Sequence, residues 1–312
     1  MSKSGTAPVV LLGYRRPKLT SQVFAAIRKA KPSTLILIMD GPKPHDPEDA
    51  QRVSETRAEV DVVDWDCEVH RFYSPTNLGL KNRVSTGLDQ AFSLVDRAII
   101  LEDDCLPSPD FFRFATELLD RYSDDDRIGI ISGSQRLRGQ RLSQYSYEFS
   151  SDVRIWGWAT WARTWQDFSS SGNLDANFTS GEIGAIAENF AGRARRSSMK
   201  KMMKVASRLD SWALPFVVHC ISRGYINAVA GANLIRNVGF GDLSTHTTFE
   251  SFVVQVPWEA IDFPLEHPTL VVANRRFDEL ESRADSLERI IYPLLHPLDV
   301  ASRLFRYLRS AS

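Results

Sequence analysis

The chain has 312 residues, 43% hydrophobic and 25% charged, the balance of a folded globular protein rather than a disordered, collagenous or membrane-embedded one. Thirty-eight Lys and Arg stand against 39 Asp and Glu, and without a basic excess to release counterions, nucleic acid is not an expected partner. Three cysteines, Cys67, Cys105 and Cys220, are too few and too scattered for a disulfide framework or a thiolate zinc site.

Short apolar, β-branched runs at Pro8–Leu12, Thr34–Met39, Glu68–Tyr73, Arg97–Leu101 and Arg127–Ser132 start roughly 30 residues apart, too far for hairpins and right for strand–helix–strand units. Between them the apolar residues repeat at helical spacing. Pro17 suits a first helical position before Leu19, Val23, Phe24 and Ile27. Val84, Leu88 and Phe92 form a second stripe, and Phe111, Phe114, Leu118 and Leu119 a third. This alternation predicts an α/β fold with a mostly parallel sheet flanked by helices. After residue 132 the rhythm breaks. Gly133–Ser143 reads as a mobile loop, able to close over a ligand through its arginines or simply to strap the surface. A Trp-dense block follows, with Trp156, Trp158 and Trp161, then Trp165. Ser169–Gly184 reads as loop and Arg193–Ile221 mostly as helix. Two short strands are predicted at Tyr225–Val229 and Asn233–Arg236, ahead of a Gly-rich turn and Thr245-His246-Thr247. The organisation expected is one α/β half (1–132), a second half of the same domain (133–250) and a C-terminal extension (251–312). In that extension Arg303, Arg306 and Arg309 lie opposite Leu298, Ala301, Leu304, Phe305 and Leu308. Such a tail packs on its own domain or lies on an anionic membrane face. Met1 to Pro8 lacks the features of a signal peptide, and no stretch is apolar enough to span a bilayer. The expected location is cytoplasmic, with peripheral contact at the inner membrane face left open.

In parallel sheets, ligands gather beyond the carboxyl ends of the strands. The fourth predicted strand runs there into Glu102-Asp103-Asp104. Three adjacent carboxylates at the tip of a buried strand repel one another and favour a cation; Mg²⁺ or Mn²⁺ typically shares such oxygens with a substrate diphosphate. Asp124-Asp125-Asp126 is equally acidic, but it precedes a strand and belongs at the opposite end of the sheet as a solvated turn. After the first strand, Gly13-Tyr14-Arg15-Arg16 opens a helix, which suits a phosphate as well as a surface turn. Asp40, at the next strand end, suits a nucleobase or ribose, or an ordinary turn. Asn77 suits a helix cap and Lys81 an anionic group. The chain has no GxxxxGK[ST] phosphate loop, no GxGxxG after the first strand and no GxSxG elbow, which disfavours ATPase, dehydrogenase and hydrolase readings.

The N-terminal half resembles the nucleotide-sugar domain of GT-A glycosyltransferases, with Glu102-Asp103-Asp104 in the place of the Asp-x-Asp metal motif. That motif, followed by Pro109-Asp110-Phe111-Phe112, is similar to the metal-dependent inverting N-acetylglucosaminyltransferases; Asn77-Leu78-Gly79 resembles a turn of inverting family-two enzymes. The Trp block resembles the Gly-Trp element ahead of the catalytic-base region, and the likeness spans about residues 8–250. The resemblance implies a metal-dependent, inverting transfer of sugar from a nucleoside-diphosphate sugar, a UDP-sugar favoured, to a hydroxyl of a glycan or other acceptor. It implies that Asp104 holds Mn²⁺ or Mg²⁺, and that a late histidine such as His246 meets the metal or the diphosphate unless it is structural. It places Asp103 on the donor sugar and Glu102 near the ribose. Asp40 and Arg15 or Arg16 would hold the uridine and diphosphate; Gly13, Tyr14, Asn77, Lys81 and Trp158 complete the donor set. Asp210 in Leu209-Asp210-Ser211-Trp212 matches the general base, although the familiar pattern is Asp-Asp-Trp. One or two tryptophans are expected at the acceptor cleft. Competing readings are a sugar nucleotidyltransferase and a non-catalytic nucleotide-sugar or carbohydrate-binding protein.

Overall fold

The computed structural model describes residues 5–175, 177–239 and 256–284. In chain order, β1 (Val9–Gly13), α1 (Pro17–Ala30), β2 (Thr34–Met39), α2 (Pro47–Asp61), β3 (Glu68–Tyr73), α3 (Leu80–Leu94) and β4 (Arg97–Glu102) alternate, as the apolar runs and helical stripes require. β1, β2, β3 and β4 pair in parallel in the order β3-β2-β1-β4. Alternate residues of each strand leave on opposite faces. Val9, Leu11, Leu35 and Leu37 join Val23 and Ile27 of α1 in one apolar layer. Val10, Leu12, Ile36 and Ile38 join Val84, Leu88 and Phe92 of α3 in the other. Burial on both faces explains why β1, β2 and β4 read as continuous apolar runs; β3, at the edge, is only partly buried.

A short β5 (Cys105–Pro107), α4 (Pro109–Arg121) and β6 (Ile128–Ser132) follow, then β7 (Tyr147–Ser150), β8 (Trp158–Trp161), α5 (Ala162–Ser169), α6 (Ser180–Ala187), α7 (Arg193–Met203), α8 (Ala213–Ser222), β9 (Ile226–Ala230) and β10 (Ile235–Asn237). The large sheet continues β4-β8-β6-β9-β7. It is mostly parallel but mixed: β8 lies antiparallel to both β4 and β6, and β7 antiparallel to β9. The fifth apolar run therefore does not sit beside the fourth, because the Trp block forms a strand between them. Within it Trp158 packs into one layer, while Ala159 and Trp161 pack into the other. The antiparallel pairing sets Trp158 opposite Ile100, so the residues just before β8 reach the carboxyl end of β4. The segment expected to be loop already turns helical at Ser180, where Thr179 caps α6 by accepting from Glu182 N–H.

Hydrogen bonds tie the start of the loop after β6 to the rest of the fold. Gln135 donates its side chain to the Gly231 carbonyl at 2.9 Å, and Arg136 N–H donates to Glu281 Oε1 at 2.8 Å. Part of the C-terminal extension also folds back on the sheet: Asp278 accepts from Ser151 N–H at 3.0 Å, and Glu281 pairs with Arg154 at 2.7 Å. No helix among the described residues is long and apolar enough to cross a membrane. The amphipathic tail and His246 lie outside the described residues.

Candidate functional site

A cavity of about 350 Å³ opens at the carboxyl ends of β1, β2 and β4, lined by Gly13, Tyr14, Arg15, Arg16, Asp40 and Asn77. Glu102, Asp103, Asp104 and Asp210 line it too, although Asp210 is more than a hundred residues from the others. The topology explains their meeting. Three parallel strands deliver their following loops to one rim, and β10 pairs antiparallel with β5, setting Asn237 opposite Cys105. Gly239 then lies hard against the acidic triplet: a Cβ there would come within 2.3 Å of Asp104 Oδ2.

The triplet carries more negative charge than its protein partners neutralise. Arg16 donates from Nε to Asp103 Oδ2 at 3.2 Å and from Nη1 to Asp104 Oδ2 at 3.0 Å; its Nη2 also pairs with Asp103. Burial opposes the charge of Arg16, but Asp103 and Asp104 outweigh it and hold its pKa above the ordinary value. Even with Glu102 holding a proton, one guanidinium faces the two carboxylates of Asp103 and Asp104. Burial, then repulsion from Asp104 and Asp103, pushes Glu102 up to about 8. Burial also raises Asp103 to about 6, against the pull of Arg16. Asp124-Asp125-Asp126, by contrast, lies at the other end of the sheet, where Asp125 meets Arg127 at 2.6 Å and Asp126 meets Arg163 at 3.0 Å.

The loop after β1 is organised by Asp49 on α2. Its carboxylate accepts from Tyr14 Oη at 2.5 Å, Arg15 Nη1 at 2.8 Å and Lys43 N–H at 2.8 Å. Burial works against the ionised form of Asp49, yet these donors outweigh it and lower its pKa; burial and then Asp49 raise that of Tyr14. Arg15 is thus turned partly toward Asp49, while Arg16 faces the triplet.

Asp40 clamps two loops together. Its Oδ1 accepts from the Gly41 and Leu78 N–H groups, and its Oδ2 from Asn77 Nδ2 and Gly79 N–H, at 2.8 to 3.2 Å. Asn77 is therefore not the helix cap; its side chain holds Asp40 and the Gly41 carbonyl. The N-cap of α3 is Gly79, whose φ of +79° strains other residues. The cap acceptor comes from far along the chain: Asp210 takes Leu80 N–H at 3.1 Å and Lys81 N–H at 3.0 Å. The Lys81 side chain leaves the cavity to pair with Asp175.

Trp158 also stands apart from the cavity. It is fully buried, stacked on Trp212 at 5.9 Å between ring centroids and packed on Phe216, because its position on β8 points into the core layer. Trp161 and Trp212 are buried as well; Trp156, just ahead of the strand, lines the cavity instead. Arg83, Lys43, Asn237 and Gly239 also line it and were not singled out from sequence. Arg83 had a faint signal: it sits one turn into α3, beside the apolar stripe, where a cation is out of place unless it faces a site.

Among the described residues no three His, Cys, Asp or Glu side chains are arranged to hold an ion by themselves. The uncompensated charge of the triplet nevertheless fits a divalent cation held by one or two carboxylates and completed by substrate oxygens. No protein-family model matches the chain, and no curated protein matches it. Among solved structures it is similar to a cytidylyltransferase from Leptospira borgpetersenii serovar Hardjo-bovis, at 10% identity and a TM-score of 0.30, over 53% of this chain and 64% of that one. The match thus spans a little under two thirds of that protein's length.

Proposed function

We infer that the chain is a metal-dependent GT-A-type glycosyltransferase that moves a sugar, with inversion, from a nucleoside-diphosphate sugar to an acceptor hydroxyl, a UDP-sugar being the favoured donor. The observation that carries this reading is the excess negative charge of Glu102-Asp103-Asp104 in a cavity also lined by Arg15, Lys43 and Arg83. An acidic floor with cationic walls suits a cation and a diphosphate together. Asp104, with Asp103 or Glu102 beside it, would hold Mn²⁺ or Mg²⁺, which when bound neutralises charge on the leaving diphosphate.

Arg15 and Lys43 would hold phosphate oxygens, and the aliphatic wall of Leu12 and Ile38 would cover the nucleoside. Asp40, with four donors already on its carboxylate, serves better to fix the loops around the nucleoside than to read it directly. Asp210 would take the proton of the acceptor hydroxyl as its oxygen attacks the anomeric carbon. A carboxylate has about four lone-pair sites, so two amide hydrogen bonds leave room for that hydroxyl.

The test is calorimetry of UDP with Mn²⁺, followed by nucleotide release from a panel of UDP-sugars. Asp104→Ala is expected to abolish metal-dependent UDP binding. Unchanged affinity in that variant would overturn the metal assignment. Release of pyrophosphate from a nucleoside triphosphate and a sugar phosphate, without transfer from any nucleotide sugar, would favour the nucleotidyltransferase reading instead.

A further inference from the structure

A second cavity, of about 340 Å³, shares Trp156 with the first. Residues 209–211 divide the two: Asp210 lines the first, while Leu209 and Ser211 line the second. A molecule held there lies beside the carboxylate that faces the other chamber.

The second lining has two distinct chemistries. Met199, Met202, Leu209 and Val217 make one side apolar, and Met202 and Leu209 remain 37% and 38% exposed. Arg136, Arg154 and Arg195 supply the other side, with Asp152 as the one acid of the lining among the described residues. Arg154 is 7% exposed and pairs with the buried Glu281 beneath it, yet its Nε has no hydrogen-bond partner among the described residues. Arg195 meets Asp152 at 3.2 Å. Beyond Arg195, the adjoining stretch from Arg193 to Lys204 adds five basic residues and no acid, of which Arg196 and Lys200 pair with Glu188. The lining thus holds three arginines to one acid among the described residues, with Glu281 buried against Arg154.

We propose that this cavity is an acceptor subsite for an anionic amphiphile: an oxyanion, carboxylate or phosphate, against the arginines, with an apolar portion over Met199, Met202 and Leu209. The proposal rests on the transferase reading. The acceptor hydroxyl would reach past Trp156 to Asp210. Its proton passes to the Asp210 carboxylate, its oxygen bonds to the anomeric carbon, and the bond from that carbon to the diphosphate oxygen breaks, releasing the nucleoside diphosphate.

The test is calorimetry on the full chain with three probes below their micelle concentrations: hexyl glucuronide, hexyl phosphate and neutral hexyl glucoside. UDP with Mn²⁺ is titrated separately. At least one charged probe is expected to bind roughly tenfold or more tighter than the glucoside, as one charge-assisted hydrogen bond would give; the tighter of the two identifies carboxylate or phosphate. Arg195→Ala is expected to erase that preference without changing UDP affinity. Arg136→Ala, which keeps its backbone bond to Glu281, gives the same readout should the first variant fold poorly. Equal binding of all three probes, or a charge preference that survives both substitutions, overturns the proposal while leaving the donor reading intact if UDP still binds. Charged-probe binding without any UDP binding also overturns it, because an anion site beside no donor is not an acceptor subsite.

Discussion

Replacing Asp210 separates its structural role from its chemical one. Its two carboxylate oxygens each take one amide at the start of α3, so it caps a helix from across 130 residues of chain. Loss of an N-cap acceptor typically costs about 1 kcal/mol, within a range of roughly 0.5–2; Asp210 is solvent-exposed, which keeps the cost near the middle. Asp210→Ala is therefore expected to lower stability in urea by about 1 kcal/mol. Hydrogen exchange at the Leu80 and Lys81 amides should quicken roughly fivefold if local opening governs it. Asp210→Asn retains one acceptor oxygen but sets an amide NH2 against the other backbone N–H, so it should lose part of that stability, on the order of 0.5 kcal/mol. The same Asn variant, unable to accept a proton as a carboxylate does, should lose about 10²–10⁴-fold in transfer. Unchanged stability and exchange in the alanine variant would refute the remote cap. Full transfer activity in the asparagine variant would refute the base.

Other substitutions probe the surrounding charge and packing. Because Glu102 titrates near 8 in the fold against an ordinary 4.5, the native state keeps a proton that the unfolded chain has released between those values. Stability should therefore fall as pH rises through that window, by at most about 5 kcal/mol, and Glu102→Gln should flatten the slope in metal-free urea titrations; an unaltered slope would show that another group is responsible. Gly239→Ala would drive a Cβ into Asp104, and a displacement of that kind should cost on the order of 10²-fold in transfer, read in the nucleotide-release assay; unimpaired release would mean the 237–239 segment yields freely. Trp158→Ala should cost about 3–5 kcal/mol in urea unfolding, whereas Trp158→Phe should cost much less, since the indole N–H has no hydrogen-bond partner among the described residues. Both should leave UDP affinity unchanged in calorimetry; a selective loss of that affinity would return Trp158 to the donor site.

The parallel half of the sheet was legible because a doubly buried strand must be apolar throughout, so β1, β2 and β4 announced themselves, while β3, a partly exposed edge strand, was placed by its spacing. β8 did not, since Trp-Ala-Thr-Trp carries no period that separates a strand from a buried helix, and its antiparallel direction depends on partners far away in sequence. The triplet at the end of β4 was readable for a related reason: carboxylates directly after a buried strand have only the rim to occupy. Roles set by long-range contacts were not readable. Asn77 looked like a cap because it precedes a helix, but the acceptor at α3 is Asp210. Asp40 looked like a ligand-reading group, but its hydrogen bonds go to the neighbouring loop. Lys81 stood beside the site in sequence, and its side chain turns away toward Asp175.

The insertion of β8 between β4 and β6 has a bearing on how the chain can be cut. A fragment ending at residue 132, the natural break in the sequence rhythm, would leave one flank of β4, from Arg97 to Ile100, without its ladder partner. Bare β-strand flanks of this sort recruit one another. Expression of the amino-terminal portion by itself should therefore yield aggregates rather than a soluble domain.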